Sequence, residues 1–235
     1  MPSPSVVIVC TSADKFGSDG HATGVWLDEL AHPYYMLAAA GMEVTVASLQ
    51  GGEIPVDAGS RGAAVPDFYT DVAKKFDADE KATERLKNSK KLTELSPDAF
   101  DAIYIPGGHG CCADMSDDAA LKTFIEKMYA DGKPVAACCH GPVALPQCCK
   151  PDGTALVSGL KIAVFKDAEE ADVGHKDRVT PWLLEAKCRE LGADLQQVDN
   201  WNSKAVRDGN LFTGQNPQSS VALVELLLDA MKQTA

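Results

Sequence analysis

The chain has 235 residues, 45% hydrophobic and 24% charged, an ordinary globular mix sufficient for one sizeable α/β core or two small domains. Its formal charge of −12 argues against nucleic acid and anionic membranes, whose phosphates demand a basic surface, and favours a small neutral or cationic substrate. No apolar run reaches the roughly 18 residues of a membrane span, and the start MPSPSVVIVCTSADKF does not read as a secretory signal, so a cytoplasmic setting is expected.

Taken in chain order, SVVIVCTS at Ser5–Ser12 does not alternate and predicts a strand buried on both faces. Helical spacing follows from about Thr23 to Ala40, closed by Gly41, with Leu27, Leu30, Tyr34 and Leu37 as its core stripe and Pro33 bending it or weakening a turn. Glu29 falls off that stripe, one turn from Trp26 and His32, on a partly apolar flank. Desolvation there would raise its pKa toward a general acid/base range; the alternative is an exposed helix glutamate. MEVTVASL at Met42–Leu49 is a second strand, and the charged stretch Lys74–Lys91 reads as a solvated helix and loop. FDAIYIPGGHG gives a strand ending at Pro106-Gly107-Gly108. A helix near Asp118–Ala130 then leads to the strand KPVAACC. Leu160–Phe165 and Gly209–Gly214 are further strands, and Ser219–Met231 is a closing helix striped by Val221, Leu223, Val224, Leu227 and Leu228. Strands separated by helices imply a doubly wound, flavodoxin-like α/β fold with a mainly parallel sheet. No repeat or linker divides residues 1–235, which read as a single domain.

The eight cysteines include three adjacent pairs, which form disulfides only with strain, and no C-x-x-C or zinc-finger spacing. Most therefore read as small buried hydrophobes, reduced in a cytosol. Cys139 is the exception. In AACCHGPVAL a strand turns into a helix, and a nucleophile on so sharp a turn needs small residues two before and two after it. Cys139 has Ala137 and Gly141 there, whereas Cys138 has Ala136 and the bulky His140. A helix starting near Gly141-Pro142 would aim its positive end at the sulfur and lower the thiol pKa. On these residues alone, a structural cysteine followed by a loop histidine stays an open alternative.

TGVWLDELAHPYY, GGEIPVD, PGGHG, VAACCHGP, DAEEADVG, PWLLE and DGNLFTGQNPQSS, running in order from the first strand to the final helix, together resemble the DJ-1/PfpI superfamily. The likeness is to its branch of glutathione-independent glyoxalases and stress chaperones. That resemblance implies Cys139 as elbow nucleophile, His140 as catalytic histidine and Glu29 as the acid bonded to the sulfur. It also implies Glu170 as the third triad member, with Glu169 as the neighbouring alternative. The amides of Gly108 and His140 would form an oxyanion pocket, with His109 either lining it or having no task. Cys138 should point to the opposite face of its strand, with a resolving thiol as the minor alternative, while Cys111 and Cys112 are placed near the pocket mouth as secondary redox positions. The activity implied is conversion of methylglyoxal or glyoxal to lactate or glycolate through a cysteine hemithioacetal, without metal, glutathione or other cofactor. Other branches suggest a holding chaperone, a redox sensor, a deglycase or an amidase/peptidase. The resemblance also implies a homodimer, and the segment around 52–91 reads as an insertion covering the site.

Overall fold

The computed structural model describes residues 3–62 and 68–233. Strand β1 (Ser5–Cys10) is buried at every position from Val6 to Cys10. Successive side chains point to opposite faces, so both faces of the sheet are covered, as the unalternating sequence predicts. A small hairpin of β2 (Lys15–Phe16) and β3 (His21–Ala22) leads to helix α1 (Leu27–Ala39). α1 begins later than the expected Thr23 because Val25 bridges Val56 and the Thr23 hydroxyl donates to Asp57 Oδ2 at 2.8 Å, holding those residues extended. The helix continues through Pro33, which has no N–H to give the Glu29 carbonyl. β4 (Glu43–Ser48) follows.

The charged stretch departs from its expectation. Helices α2 (Asp71–Ala78) and α3 (Glu80–Lys87) bury Ala73, Phe76, Ala82 and Leu86, and Lys90–Lys91 forms β5 at the sheet edge. A few apolar residues at helical spacing anchor helices whose other faces carry the charge that dominates the sequence. β6 (Ala102–Ile105), α4 (Gly110–Asp114), α5 (Ala119–Ala130) and β7 (Val135–Cys138) follow, α5 capped by Asp118, whose Oδ1 accepts from the Leu121 amide at 2.7 Å. The run Leu160–Phe165 does not join the main sheet. Only β8 (Lys161–Ile162) is strand, paired with β9 (Asp194–Leu195), and the following residues turn across the sheet end, where Phe165 donates its amide to the Cys139 carbonyl at 3.3 Å. Helices α6 (Asp167–Asp172) and α7 (Leu184–Glu190) precede β9, and β10 (Ala205–Asp208), β11 (Leu211–Gly214) and α8 (Ser220–Gln233) follow it.

The seven-stranded sheet has the order β10-β11-β7-β6-β1-β4-β5 and is parallel except for β10 against β11. Helix α8 packs on α1 and on β7, β10 and β11, while α5 packs on β6 and β7. Leu223, Val224 and Leu227 are buried in α8 as expected, but Val221 is 37% exposed, and Ala230 and Met231 extend the buried stripe. From β1 the chain moves to β4 on one side, then returns to β6 on the other. The crevice beyond the carboxyl ends of β1 and β6 is thus the switch point where open α/β sheets place their ligands. Among the described residues no helix is long and apolar enough to cross a membrane.

A cysteine-centred candidate active site

Strand β7 ends at Cys138, and Cys139 turns the chain with φ 56, a left-handed conformation that costs a non-glycine residue about 1–3 kcal/mol. The turn is held by the Cys139 amide, which donates to the Gly214 carbonyl at 2.8 Å. Small neighbours are required as the sequence pattern implies: a Cβ on Gly141 would stand 2.3 Å from the Ile105 carbonyl oxygen. The Cys138 thiol turns toward the start of α8, 3.3 Å from the Asn216 carbonyl and 3.8 Å from Ser220 Oγ, and it also interacts with the Glu29 carboxyl. The expected helix after the elbow is instead a single 3-10 turn, Gly141–Ala144. So short a turn has little dipole to offer, and the thiol is not lowered. Burial and the Glu29 carboxyl push it well up. Activation of this sulfur therefore needs a base to take its proton.

A side chain able to accept it is adjacent. His140 Nδ1 lies 3.3 Å from Cys139 Sγ, and its Nε2 makes a short hydrogen bond to Glu170 Oε1. The second oxygen of Glu170 accepts from His109 Nε2 at 2.9 Å. Burial works to raise the Glu170 carboxyl, but the His140 and His109 contacts overcome it and hold the group below the ordinary carboxylate range. An ionised Glu170 supplies no proton, so the Nε2 atoms of both rings donate to it, and Nδ1 is the His140 atom that faces the thiol. His109 is pushed down to about 4 by burial and by the neighbouring His140. The ligand atoms of His109, His140 and Glu170 lie within 4.8 Å of one another.

Helix α6 separates the two acids that the sequence could not. Glu169 Oε1 accepts from the Trp201 amide at 2.8 Å, Asn216 Nδ2 at 2.8 Å and Gln215 Nε2 at 3.2 Å, while Oε2 accepts from the Lys166 amide at 3.1 Å. Glu169 ties α6 to the loops behind it, and Glu170 on the next position faces His140. Glu29, in the first turn of α1, is fully buried and accepts the Gly107 N–H at 2.8 Å on Oε2. Its other oxygen has no well-formed hydrogen bond, and the Cys139 thiol interacts with the carboxyl. Burial raises Glu29 to about 7 against the pull of Gly107, Cys139 and His140.

Cys139 and His140 meet at a cavity of about 60 Å³, lined also by Gly108 and His109 and walled by Trp26, Phe68, Phe165, Val173, Trp201 and Pro217. Gly108 adopts φ +107, and a Cβ there would stand 2.2 Å from the Gly24 carbonyl oxygen. Among the described residues neither the Gly108 nor the His140 amide has a hydrogen-bond acceptor, which leaves both free for a developing oxyanion. Cys111 and Cys112 do not reach this cavity as expected. Both are buried within α4, with Cys111 Sγ donating to the Pro106 carbonyl at 3.4 Å and burial pushing both thiols up. The aromatic walls were missed in the sequence because Phe165 sits in a strand-like run and Trp201 in a loop.

Known proteins carry the same architecture. Glyoxalase 3 of Candida albicans is 32% identical over 97% of this chain and 98% of its own. The glutathione-independent glyoxalase HSP31 of Saccharomyces cerevisiae is 30% identical over 99% of this chain and 100% of its own. The crystal structure of the Rapid Encystment Protein 24 KDa of Francisella tularensis superposes with a TM-score of 0.91 at 32% identity, covering 97% of this chain and 99% of that one. The DJ-1/PfpI family model matches residues 22–230, and the chain belongs to the DJ-1/PfpI family.

Proposed function

We propose that the protein is a glutathione-independent glyoxalase that converts methylglyoxal or glyoxal, with water, to lactate or glycolate. His140 Nδ1 takes the Cys139 proton, and the sulfur adds to the aldehyde carbon, whose oxygen becomes an oxyanion facing the Gly108 and His140 amides. The oxyanion is protonated to a hemithioacetal. His140 or Glu29 then removes the hydrogen on C1, and the enediol is reprotonated at C2 to give a thioester. Water attacks that carbonyl, the carbon–sulfur bond breaks, the sulfur regains its proton, and the hydroxy acid leaves with release of one proton. Glu29, poised near neutrality, suits either direction of proton transfer.

The observation that carries this reading is convergence of a nucleophile and an adjacent histidine on a cavity of about 60 Å³, room for a few heavy atoms and not for a peptide, with the buried Glu29 carboxyl against the sulfur behind it. The relatives named as glutathione-independent glyoxalases support it. Phe68, from the segment around 52–91, walls that cavity, which supports a covering role for this part of a single domain. A homodimer is carried over from the family resemblance, and sedimentation velocity checks it.

The test is glutathione-free conversion of methylglyoxal to lactate by wild type, Cys139→Ala, Cys138→Ala and Glu29→Gln. Conversion is expected to vanish with Cys139, to fall about 10²- to 10⁴-fold with Glu29, and to persist without Cys138. A folded wild type that makes no lactate would replace this reading with that of a holding chaperone or redox sensor.

A further inference from the structure

His109 joins the candidate active site to a second cavity. This ring lines both the Cys139 cavity and a space of about 460 Å³ bordered by His21, Asp57, Phe68 and His175. Four of the five histidines therefore stand in file. Ring centroids are separated by 4.1 Å between His140 and His109, 4.8 Å between His109 and His175, and 4.8 Å between His175 and His21. Exposure rises along the file, from 1% at His140 and 7% at His109 to half-buried His175 and exposed His21. Phe16 stacks on His109 at 4.8 Å and meets His175 edge-on at 5.1 Å, which fixes the rings side by side.

At the inner end of the file, two imidazole nitrogens and one carboxylate converge. One ring nitrogen from each of His109 and His140 and one Glu170 oxygen lie within 4.8 Å of one another, and the Nε2 of each ring is already bonded to a different oxygen of Glu170. Ligand atoms on a tetrahedral zinc ion, at about 2.0–2.2 Å from it, are about 3.3 Å apart, so side-chain rotations of about an ångström close this set. Two imidazoles with one carboxylate is a donor set that favours borderline transition metals over calcium or magnesium. Of the three, His109 borders the larger cavity, which the exposed His21 and half-buried His175 also line.

We propose that His109, His140 and Glu170 form a binding site for one divalent transition-metal ion, zinc being the physiological class, reached past His21 and His175. The ion takes the Nε2 atoms of both His109 and His140, and the proton of each ring moves to its Nδ1. The His140 ring then donates toward Cys139 and no longer accepts from its thiol. Metal occupancy therefore switches off any chemistry that begins with this cysteine, whatever its substrate.

Cobalt(II) titration of the metal-free protein, followed by its visible spectrum and by equilibrium dialysis, tests the site without any substrate. One cobalt ion per chain is expected, in wild type and in Cys139→Ala alike. Binding should be weakened at least about tenfold in His109→Gln and in Glu170→Gln, two variants so that loss of folding in one does not decide the matter. Zinc should slow iodoacetamide labelling of Cys139 in wild type, reversibly by chelator, and do so less in His109→Gln. Absence of stoichiometric binding, equal affinity in both variants, or a sulfur-to-cobalt band that disappears in Cys139→Ala would each overturn the proposal. Failure of the glyoxalase reading would leave these readouts untouched.

Discussion

Glu29 shows most directly how one residue's surroundings set its chemistry. The sequence places a carboxylate off the core stripe of α1; burial then raises it from 4.5 to about 7. Between those values the folded state holds a proton that the unfolded chain releases. The stability this gives is fully present below pH 4.5 and is lost as the pH rises through about 7. The difference corresponds to about 3 kcal/mol. Glu29→Gln keeps a group that accepts from Gly107 but cannot ionise, so its stability relative to wild type should grow by about that amount from pH 4.5 to 7. Urea midpoints of the two proteins across this range check the sign, and parallel curves would show that Glu29 does not titrate there. Cys138 provides the contrast at residue scale. Fully buried, with its thiol bonded to the Asn216 carbonyl, it should cost about 1 kcal/mol or a little more on replacement by alanine and leave thiol labelling at Cys139 intact.

At the scale of elements, α6 divides structural and chemical work between adjacent acids. Glu169 gathers donors from Lys166, Trp201, Gln215 and Asn216, and one of these, Trp201, adopts φ 62 at the cavity wall. Glu169→Ala leaves several buried donors without an acceptor, and a loss of about 2–4 kcal/mol is expected in urea unfolding. The freed Trp201 should also show altered fluorescence, whereas Glu170→Ala should leave that signal near wild type. The elbow is equally constrained as an element. Gly141→Ala places a Cβ 2.3 Å from the Ile105 carbonyl oxygen of the neighbouring strand end, so β6 and β7 cannot keep their present spacing there. Labelling of Cys139 by iodoacetamide should fall in rate even in material that remains folded. A rate equal to wild type would mean that the turn relaxes without moving the sulfur.

For the whole molecule, distant segments close one small cavity. Trp26 precedes α1, Phe68 comes from the connection before α2, Phe165 follows β8, and Trp201 lies between β9 and β10. The Trp26 and Phe68 rings meet edge to face at 5.4 Å, with Phe68 and Trp201 at 6.2 Å. Phe68→Ala removes one wall without touching the cysteine, its base or Glu29. Under the proposed activity it should raise kcat/KM for phenylglyoxal relative to methylglyoxal by about tenfold or more, in line with the 1–3 kcal/mol at stake in reshaping an apolar pocket. An unchanged ratio would assign selectivity to the remaining walls.

The sequence by itself determined what depends on local pattern. The unalternating runs at Val6–Cys10 and Val135–Cys138 dictate a sheet covered on both faces, and the small residues around Cys139 dictate a tight turn there. Helical spacing places Glu29 beside apolar neighbours but leaves an exposed glutamate equally open, and its complete burial was decided by the packing of α1. Only the tertiary structure decided which of two adjacent acids faces His140, since α6 can present either until its contacts with Trp201 and Asn216 fix its rotation. It also turned the LKIAVF run out of the main sheet, made the helix after the elbow a single turn, and brought His21 and His175 up to His109. Those outcomes rest on contacts between residues far apart in the chain, and local periodicity carries no record of them.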